Sequence, residues 1–329
     1  MKHLVRSLAI SLLCSGLGVA WLLWQVKDVR QLLLVMSVPL SALFLAFGGL
    51  LFSFATAAIR LHILARSLGH SFPLLASLYA HIMGVFGTTV TPGGSGGTPL
   101  LAYVLSRHMP QTVSWAIALF ILTADMILYA WALPLSVVYL FILDGEVAAS
   151  TLILAAISIV SCMLLALILL KKLHWLERLI RLLCRGILLR FRKTLLRSLQ
   201  RVASLQQDFL AQPFAWQLGI QGLSALSWAG FFLIFYSLAK GFDFQVGLWE
   251  SLAMQQVVVA FATIVPTPGA SGFFELSLGK FLQTKGDIQA IPATIMLWRL
   301  ISYYLFFLLG PLFGGLLIIQ HSKTSSPSV

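Results

Sequence analysis

Long unbroken apolar runs constrain this chain more than any other feature. They fall at approximately 8–24, 32–59, 114–143, 148–170, 214–239 and 291–319. About 20 apolar residues in a helix cross the hydrocarbon core of a bilayer, so about six full transmembrane helices are expected. Of the 329 residues 59% are hydrophobic and 10% charged, and the apolar residues are continuous rather than alternating. This predicts an all-α polytopic membrane protein, and argues against soluble enzyme folds and barrels, whose strands alternate over short segments.

Two further apolar segments, about 72–105 and 248–282, are each interrupted by nearly the same letters: TPGGSG at Thr91–Gly96 and TPGASG at Thr267–Gly272. Each segment is too long for one crossing, and its halves are short for two. Loop charges choose between threadings. If both segments are re-entrant hairpins, Lys2, Arg6, Arg60, Arg66, Arg107, Lys323 and the Lys171–Arg201 cluster share the cytoplasmic side, as the positive-inside rule demands. A pair of short complete crossings gives the same parity. Both chain ends are then cytoplasmic.

That threading divides a single membrane domain, 1–329, into two inverted-topology repeats, 32–143 and 214–319. A linking transmembrane helix at 148–170 and a basic amphipathic cytoplasmic segment at 171–210 join them. Gly/Pro-interrupted segments at corresponding places in two halves are the best sequence pointer to a transporter's substrate site. Of the 22 Lys and Arg, ten lie in Lys171–Arg201. This cluster reads as a contact with an anionic leaflet rather than with nucleic acid.

Non-helical backbone at membrane depth persists only against protein or a wet cavity. The helices resuming near Thr98 and Phe273 would turn free N–H groups and a positive dipole end toward that cavity, which suits a phosphate or other anion. The candidate substrate-binding residues are therefore Thr91, Pro92, Gly93, Ser95 and Gly96, and Thr267, Pro268, Gly269, Ser271 and Gly272, the threonines and serines offering hydroxyls. Asp125 and Arg299 follow the two loops at nearly the same spacing. Charges at membrane depth are costly and usually functional. Either these two pair with each other, or Arg299 faces a lipid phosphate while Asp125 tunes it. Glu275 is a helix cap or a coupling group. His81 is a hydrogen-bonded structural residue or a proton relay. Arg60, Arg66 and Arg107 flank the mouth of the first hairpin, where they receive a headgroup or only set topology.

Other chemistries fare worse. Gly93–Gly97 fits G-x-S-x-G, but after Ser95 only His108, His174 and His321 remain, all outside the apolar runs, so an intramembrane enzyme acting on lipid or peptide lacks a base. No Gly-Lys-Ser/Thr follows the glycines, as a nucleotide phosphate loop requires. A channel or secondary transporter of a small anion is the remaining alternative, without stacked carbonyl sites to support it. Cys14, Cys162 and Cys184 form no CxxC pair, and neither a metal nor a cofactor is expected. The N-terminus resembles a signal peptide without a cleavage site and is read as a retained helix.

The stretch TIVPTPGASGFFELSLGKFLQTKG, followed by WRLISYY, resembles the signature of the flippase-like transmembrane region of the lysylphosphatidylglycerol synthases, the family of the bacterial multiple peptide resistance factor. GTTVTPGGSGGTPLLAYVLSR and LTADMILYA resemble its first loop and intramembrane Asp. The resemblance runs from about Leu32 to Leu317. It implies re-entrant helices around a lipid-accessible cavity and transbilayer movement of a lipid with a phosphate-containing or modified, anionic headgroup in the bacterial cytoplasmic (inner) membrane. It also implies roles for Pro268, Gly269, Gly272 and Glu275, for Pro92, Gly93 and Gly96, and for Asp125 and Arg299. No appended soluble synthase domain is read here, so aminoacyl transfer to lipid is not expected; the expectation is a lipid translocator without catalytic activity, or an accessory protein of envelope-lipid synthesis. Leu122 and Thr123 stand where the family often carries an arginine before the Asp. A lipid-synthesis enzyme or a second copy of the chain remains open as partner.

Overall fold

The computed structural model describes residues 36–91, 93–144, 160, 189–262, 265, 267 and 269–312. Among them all regular structure is helical: α1 (Leu40–Ser67), α2 (Leu74–Val90), α3 (Gly97–Leu105), α4 (Gln111–Asp144), α5 (Leu189–Leu210), α6 (Phe214–Gly241), α7 (Leu248–Ala262), α8 (Phe273–Leu282) and α9 (Ile288–Leu312). The last opens with a 3₁₀ turn and carries a π turn over Leu300–Tyr304. Prolines punctuate the starts: Pro39, Pro73, Pro110 and Pro213 immediately precede α1, α2, α4 and α6. A proline there gives up no helical hydrogen bond and forces the residue before it out of helix.

Of the expected crossings, α1, α4, α6 and α9 are long and apolar enough to span a membrane. The runs at 8–24 and 148–170 lie outside the described residues, apart from Val160, as do 171–188, Pro92 and Pro268. One boundary requires correction. The run expected at 32–59 is a helix from Leu40 to Ser67, so Arg60 sits inside it rather than in a flanking loop. The stop is Gly69, whose φ of 78° lets its N–H reach Arg66 O (2.9 Å) while His70 N–H reaches Ala65 O (3.0 Å). Glycine takes this left-handed helix-ending conformation without strain.

The sequence long helix, short helix, break, short helix, long helix occurs twice. The lengths match closely: 28 and 28 residues for α1 and α6, 17 and 15 for α2 and α7, 9 and 10 for α3 and α8. At 1.5 Å per residue α2 and α7 reach roughly 25 and 22 Å, short of the roughly 30 Å hydrocarbon core. The most extensive packing in the fold joins the two equivalent helices α1 and α6. They run antiparallel, with Ala42 against Gly241, Gly49 against Gly230 and Ser53 against Ser227. A Cβ on Gly49 would lie 2.6 Å from Gly230 O, and one on Gly230 would lie 2.8 Å from Gly49 O. Only glycine at both positions lets the backbones approach this closely, the usual means of membrane-helix contact.

α1 bridges two cores. Its first half (Ala42, Leu50, Phe54) packs with Phe235, Leu278 and Trp298 of α6, α8 and α9. Its last turns (Leu61, Leu64) pack with Met83, Leu105 and Ile117 of α2, α3 and α4 and with Phe209 of α5. The described part of the basic segment, α5, is amphipathic: Leu199, Val202, Leu205 and Phe209 are buried, while Arg197 and Arg201 face outward. Gln206 anchors it by donating from Nε2 to Ala116 O of α4 (2.6 Å). The outer faces of α1 and α4 expose Phe44, Leu51, Trp131 and Leu135, side chains that a bilayer covers.

Candidate functional site

Both TPG loops fold into the same turn. Gly94 N–H donates to Thr91 O (3.2 Å) and Ala270 N–H donates to Thr267 O (3.0 Å). The two residues at the far corner are left-handed in each loop, Gly93 and Gly94 at φ 58° and 67°, Gly269 and Ala270 at 57° and 48°. Helices α3 and α8 then resume at Gly97 and Phe273, as expected from the sequence.

The threonines serve the loops rather than the cavity. Thr91 Oγ1 donates to Gly87 O (2.8 Å) and accepts from Gly96 N–H (2.7 Å), while Thr267 Oγ1 donates to Ser271 O (3.0 Å). Backbone groups at membrane depth need partners, and these hydroxyls are the nearest supply. The α8 N-terminus is capped too: Glu275 Oε2 accepts from Gly272 N–H at 2.7 Å. The expectation of free N–H groups at both helix starts is corrected to this extent.

Between the two halves lies a cavity of about 400 Å³, lined mainly by apolar and aromatic side chains from α1, α2, α3, α4, α6, α7, α8 and α9. Gly93, Gly94, Gly97, Thr98, Gly269 and Ala270 bring both loops to its wall. Two ion pairs adjoin it, Arg60 with Asp125, both in the lining, and Arg299, in the lining, with Glu275. Arg60 Nη1 donates to Asp125 Oδ1 (2.6 Å) and to Ser224 Oγ (2.5 Å). Arg299 Nε donates to Glu275 Oε1 (2.7 Å) and its Nη1 to Gly269 O (3.2 Å). The Arg299 guanidinium also lies 5.1 Å from the Phe274 ring, 5.0 Å from Trp298 and 5.1 Å from Tyr303. Each arginine is only 4% exposed, and each keeps a buried N–H without a partner, Nε on Arg60 and Nη2 on Arg299.

Asp125 and Arg299 therefore do not pair with each other. Ser53 of α1 and Ser227 of α6 do touch, with hydroxyls 3.3 Å apart, while Asp125 pairs with Arg60 and Arg299 with Glu275. Arg60, expected at the hairpin mouth, is instead a buried cavity residue. Arg66 and Arg107 are exposed and absent from the cavity lining, and Arg107 is engaged by the Tyr103 hydroxyl and ring. His81 lines the cavity edge-on to Phe54 (5.3 Å), and among the described residues it has no hydrogen-bond partner. Ser95 and Ser271 are not in the lining. The sequence reading missed Ser224, Tyr129, Trp228, Phe274 and Tyr303. Tyr129, Phe274 and Tyr303 lie in the quoted LTADMILYA, TIVPTPGASGFFELSLGKFLQTKG and WRLISYY stretches, whereas Ser224 and Trp228 had no signal.

Tyr303 ties the halves together. Its hydroxyl donates to Thr89 O at 3.1 Å, and its ring covers Gly269, where a Cβ would lie 2.0 Å from Cε2.

The chain is 22% identical over 345 residues to a UPF0104 membrane protein of Archaeoglobus fulgidus, an alignment that takes in 100% of this chain and 98% of that relative. The profile of the lysylphosphatidylglycerol synthase TM region matches residues 5–310. The protein, a multi-pass membrane protein, belongs to the family of the lysylphosphatidylglycerol synthase TM region.

Proposed function

We propose that the protein moves a lipid with a phosphate-containing or modified headgroup across the cytoplasmic membrane, without catalysing a reaction. The observation that supports this most is the mainly apolar cavity between two matched halves, whose lining includes two buried arginines, Arg60 and Arg299. A mainly apolar pocket with a few convergent polar groups is the usual form of a ligand site. A phosphate complements the arginine charges, and the apolar walls accommodate the adjoining glycerol and chain ends.

In this reading α2–α3 and α7–α8 are re-entrant hairpins of two inverted repeats, and their loops dip toward the cavity from opposite faces. The antiparallel packing of α1 against α6 supports the inversion. Arg197 and Arg201 of α5 lie along the anionic cytoplasmic leaflet. The headgroup passes between the loops while the acyl chains stay in the bilayer.

Reconstituted protein should move labelled phospho- or polyprenyl-phospholipids between leaflets, with Arg299→Ala and Asp125→Ala impaired at normal expression. If the wild-type protein moves none of a broad lipid panel, the proposal fails. The topology has its own test, cysteine accessibility: Ser95→Cys should react with a water-soluble thiol reagent from the cytoplasm and Ser271→Cys from outside. Labelling of both from one side excludes inversion.

A further inference from the structure

Charge counting sharpens which headgroup the cavity suits, on the reading that it holds a lipid headgroup at all. Among the described residues three charged side chains line it, Arg60, Asp125 and Arg299, and Glu275, outside the lining, pairs with Arg299, so the four sum to zero. A headgroup bearing a net negative charge would leave that charge uncompensated in a low-dielectric space, which is costly. A headgroup carrying one ammonium and one phosphate adds no net charge.

The cavity offers a separate place for each. Glu275 is fully engaged, one oxygen with Gly272 N–H and the other with Arg299 Nε. Asp125 differs: Oδ1 accepts from Arg60, while Oδ2 has no hydrogen-bond partner among the described residues and belongs to a cavity-lining side chain, 19% exposed. Tyr129 lies one helical turn beyond Asp125, and Trp228 one turn beyond Ser224, which shares Arg60 with Asp125. Their rings are 5.5 Å apart, and both line the cavity with Phe231. A carboxylate that lines one cavity with two electron-rich rings is a setting that binds an ammonium. Elsewhere in the lining Arg299, its guanidinium held by three rings, brings a positive charge beside Gly269 and Ala270.

We infer that the site recognises a zwitterionic headgroup, an alkylammonium joined by a short ester to a phosphate, with the ammonium at Asp125, Tyr129 and Trp228 and the phosphate at Arg299. Arg60 then holds Asp125 in place and keeps the empty cavity neutral.

The test uses full-length protein in phosphatidylcholine vesicles carrying acyl-chain-labelled phosphatidylethanolamine, phosphatidylglycerol or phosphatidic acid with identical chains. Bleaching with a membrane-impermeant reductant reports leaflet exchange. Phosphatidylethanolamine should move at least about tenfold faster than the other two, a ratio within the reach of an ammonium–carboxylate and ring contact. Asp125→Asn should erase that preference, and Arg299→Gln should slow all lipids. The wild-type comparison stands on its own if either variant misfolds. Equal or faster movement of phosphatidylglycerol or phosphatidic acid overturns the headgroup assignment while leaving lipid movement intact. Movement of no lipid refutes the transport reading instead. Calorimetric binding of soluble glycerophosphoethanolamine in that case would mark the ligand as a free headgroup and overturn the lipid source.

Discussion

Replacing Glu275 with alanine strands Arg299, and the structure fixes how much that should cost. Arg299 is 4% exposed and gives its Nε hydrogen bond to Glu275 at 2.7 Å. Removing one partner of a buried ion pair typically costs about 3–5 kcal/mol, because the remaining charge stays desolvated. Two features place the cost at the low end. The Glu275 side chain is 16% exposed, so water enters readily once it is gone. Three ring faces within 5.1 Å still stabilise the guanidinium, each by about 0.5–1 kcal/mol. Against this, Gly272 N–H loses its acceptor, a loss of about 1 kcal/mol. The expected destabilisation is about 3 kcal/mol. The double variant Glu275→Ala/Arg299→Met has no stranded charge, and apolar replacement of a buried pair is often nearly neutral, so it should recover about 2 kcal/mol. Equilibrium unfolding in mixed detergent micelles measures both. A single variant costing under about 1 kcal/mol, or a double variant less stable than the single, refutes the claim that this pair is buried and coupled.

Other consequences concern the loops and the helix crossing. Gly269→Ala drives a Cβ into the Tyr303 ring at φ 57°, so it should lose at least about 2 kcal/mol in the same unfolding assay; Gly269→Ala/Tyr303→Leu should regain part of it. Ala270→Gly relieves a left-handed alanine at φ 48° but frees the unfolded chain, so its stability should stay within about 0.5 kcal/mol of wild type, whereas Ala270→Val should be clearly destabilised. Ser53→Cys/Ser227→Cys, in a background lacking Cys14, Cys162 and Cys184, should oxidise to a faster-migrating species on a non-reducing gel, since the native hydroxyls are 3.3 Å apart. Failure to cross-link contradicts the α1–α6 crossing.

The parts of the fold written in local chemistry were legible beforehand. Proline and glycine at Thr91–Gly96 and Thr267–Gly272 announced both breaks, and the helices restart at Gly97 and Phe273 as that chemistry requires. Arg60 was misplaced because hydropathy treats an arginine as the end of an apolar run. The helix signal that mattered was Gly69, two turns farther on. The pairing of Arg60 with Asp125, and of Arg299 with Glu275, depends on which helices meet, and no spacing within one half reveals it. Spacing instead suggested Asp125 with Arg299, since equal distance from two loops looks like proximity when it records only equivalence. Thr91 and Thr267 looked like ligand donors because the sequence does not show how many backbone groups their own loops leave unpaired. Trp228 gave no sign, since aromatic residues are common throughout the apolar runs, and Tyr129 was visible only as part of the LTADMILYA stretch.

The central claim is that a lipid headgroup travels through the cavity between the two halves. Thr98 lines that cavity at the start of α3. A Thr98→Cys protein, otherwise free of cysteine, can be compared with itself before and after a bulky maleimide is attached, so folding is held constant. Lipid exchange in vesicles should proceed before labelling and stop once labelling is complete. Exchange continuing at the unlabelled rate with the cavity filled would contradict the account.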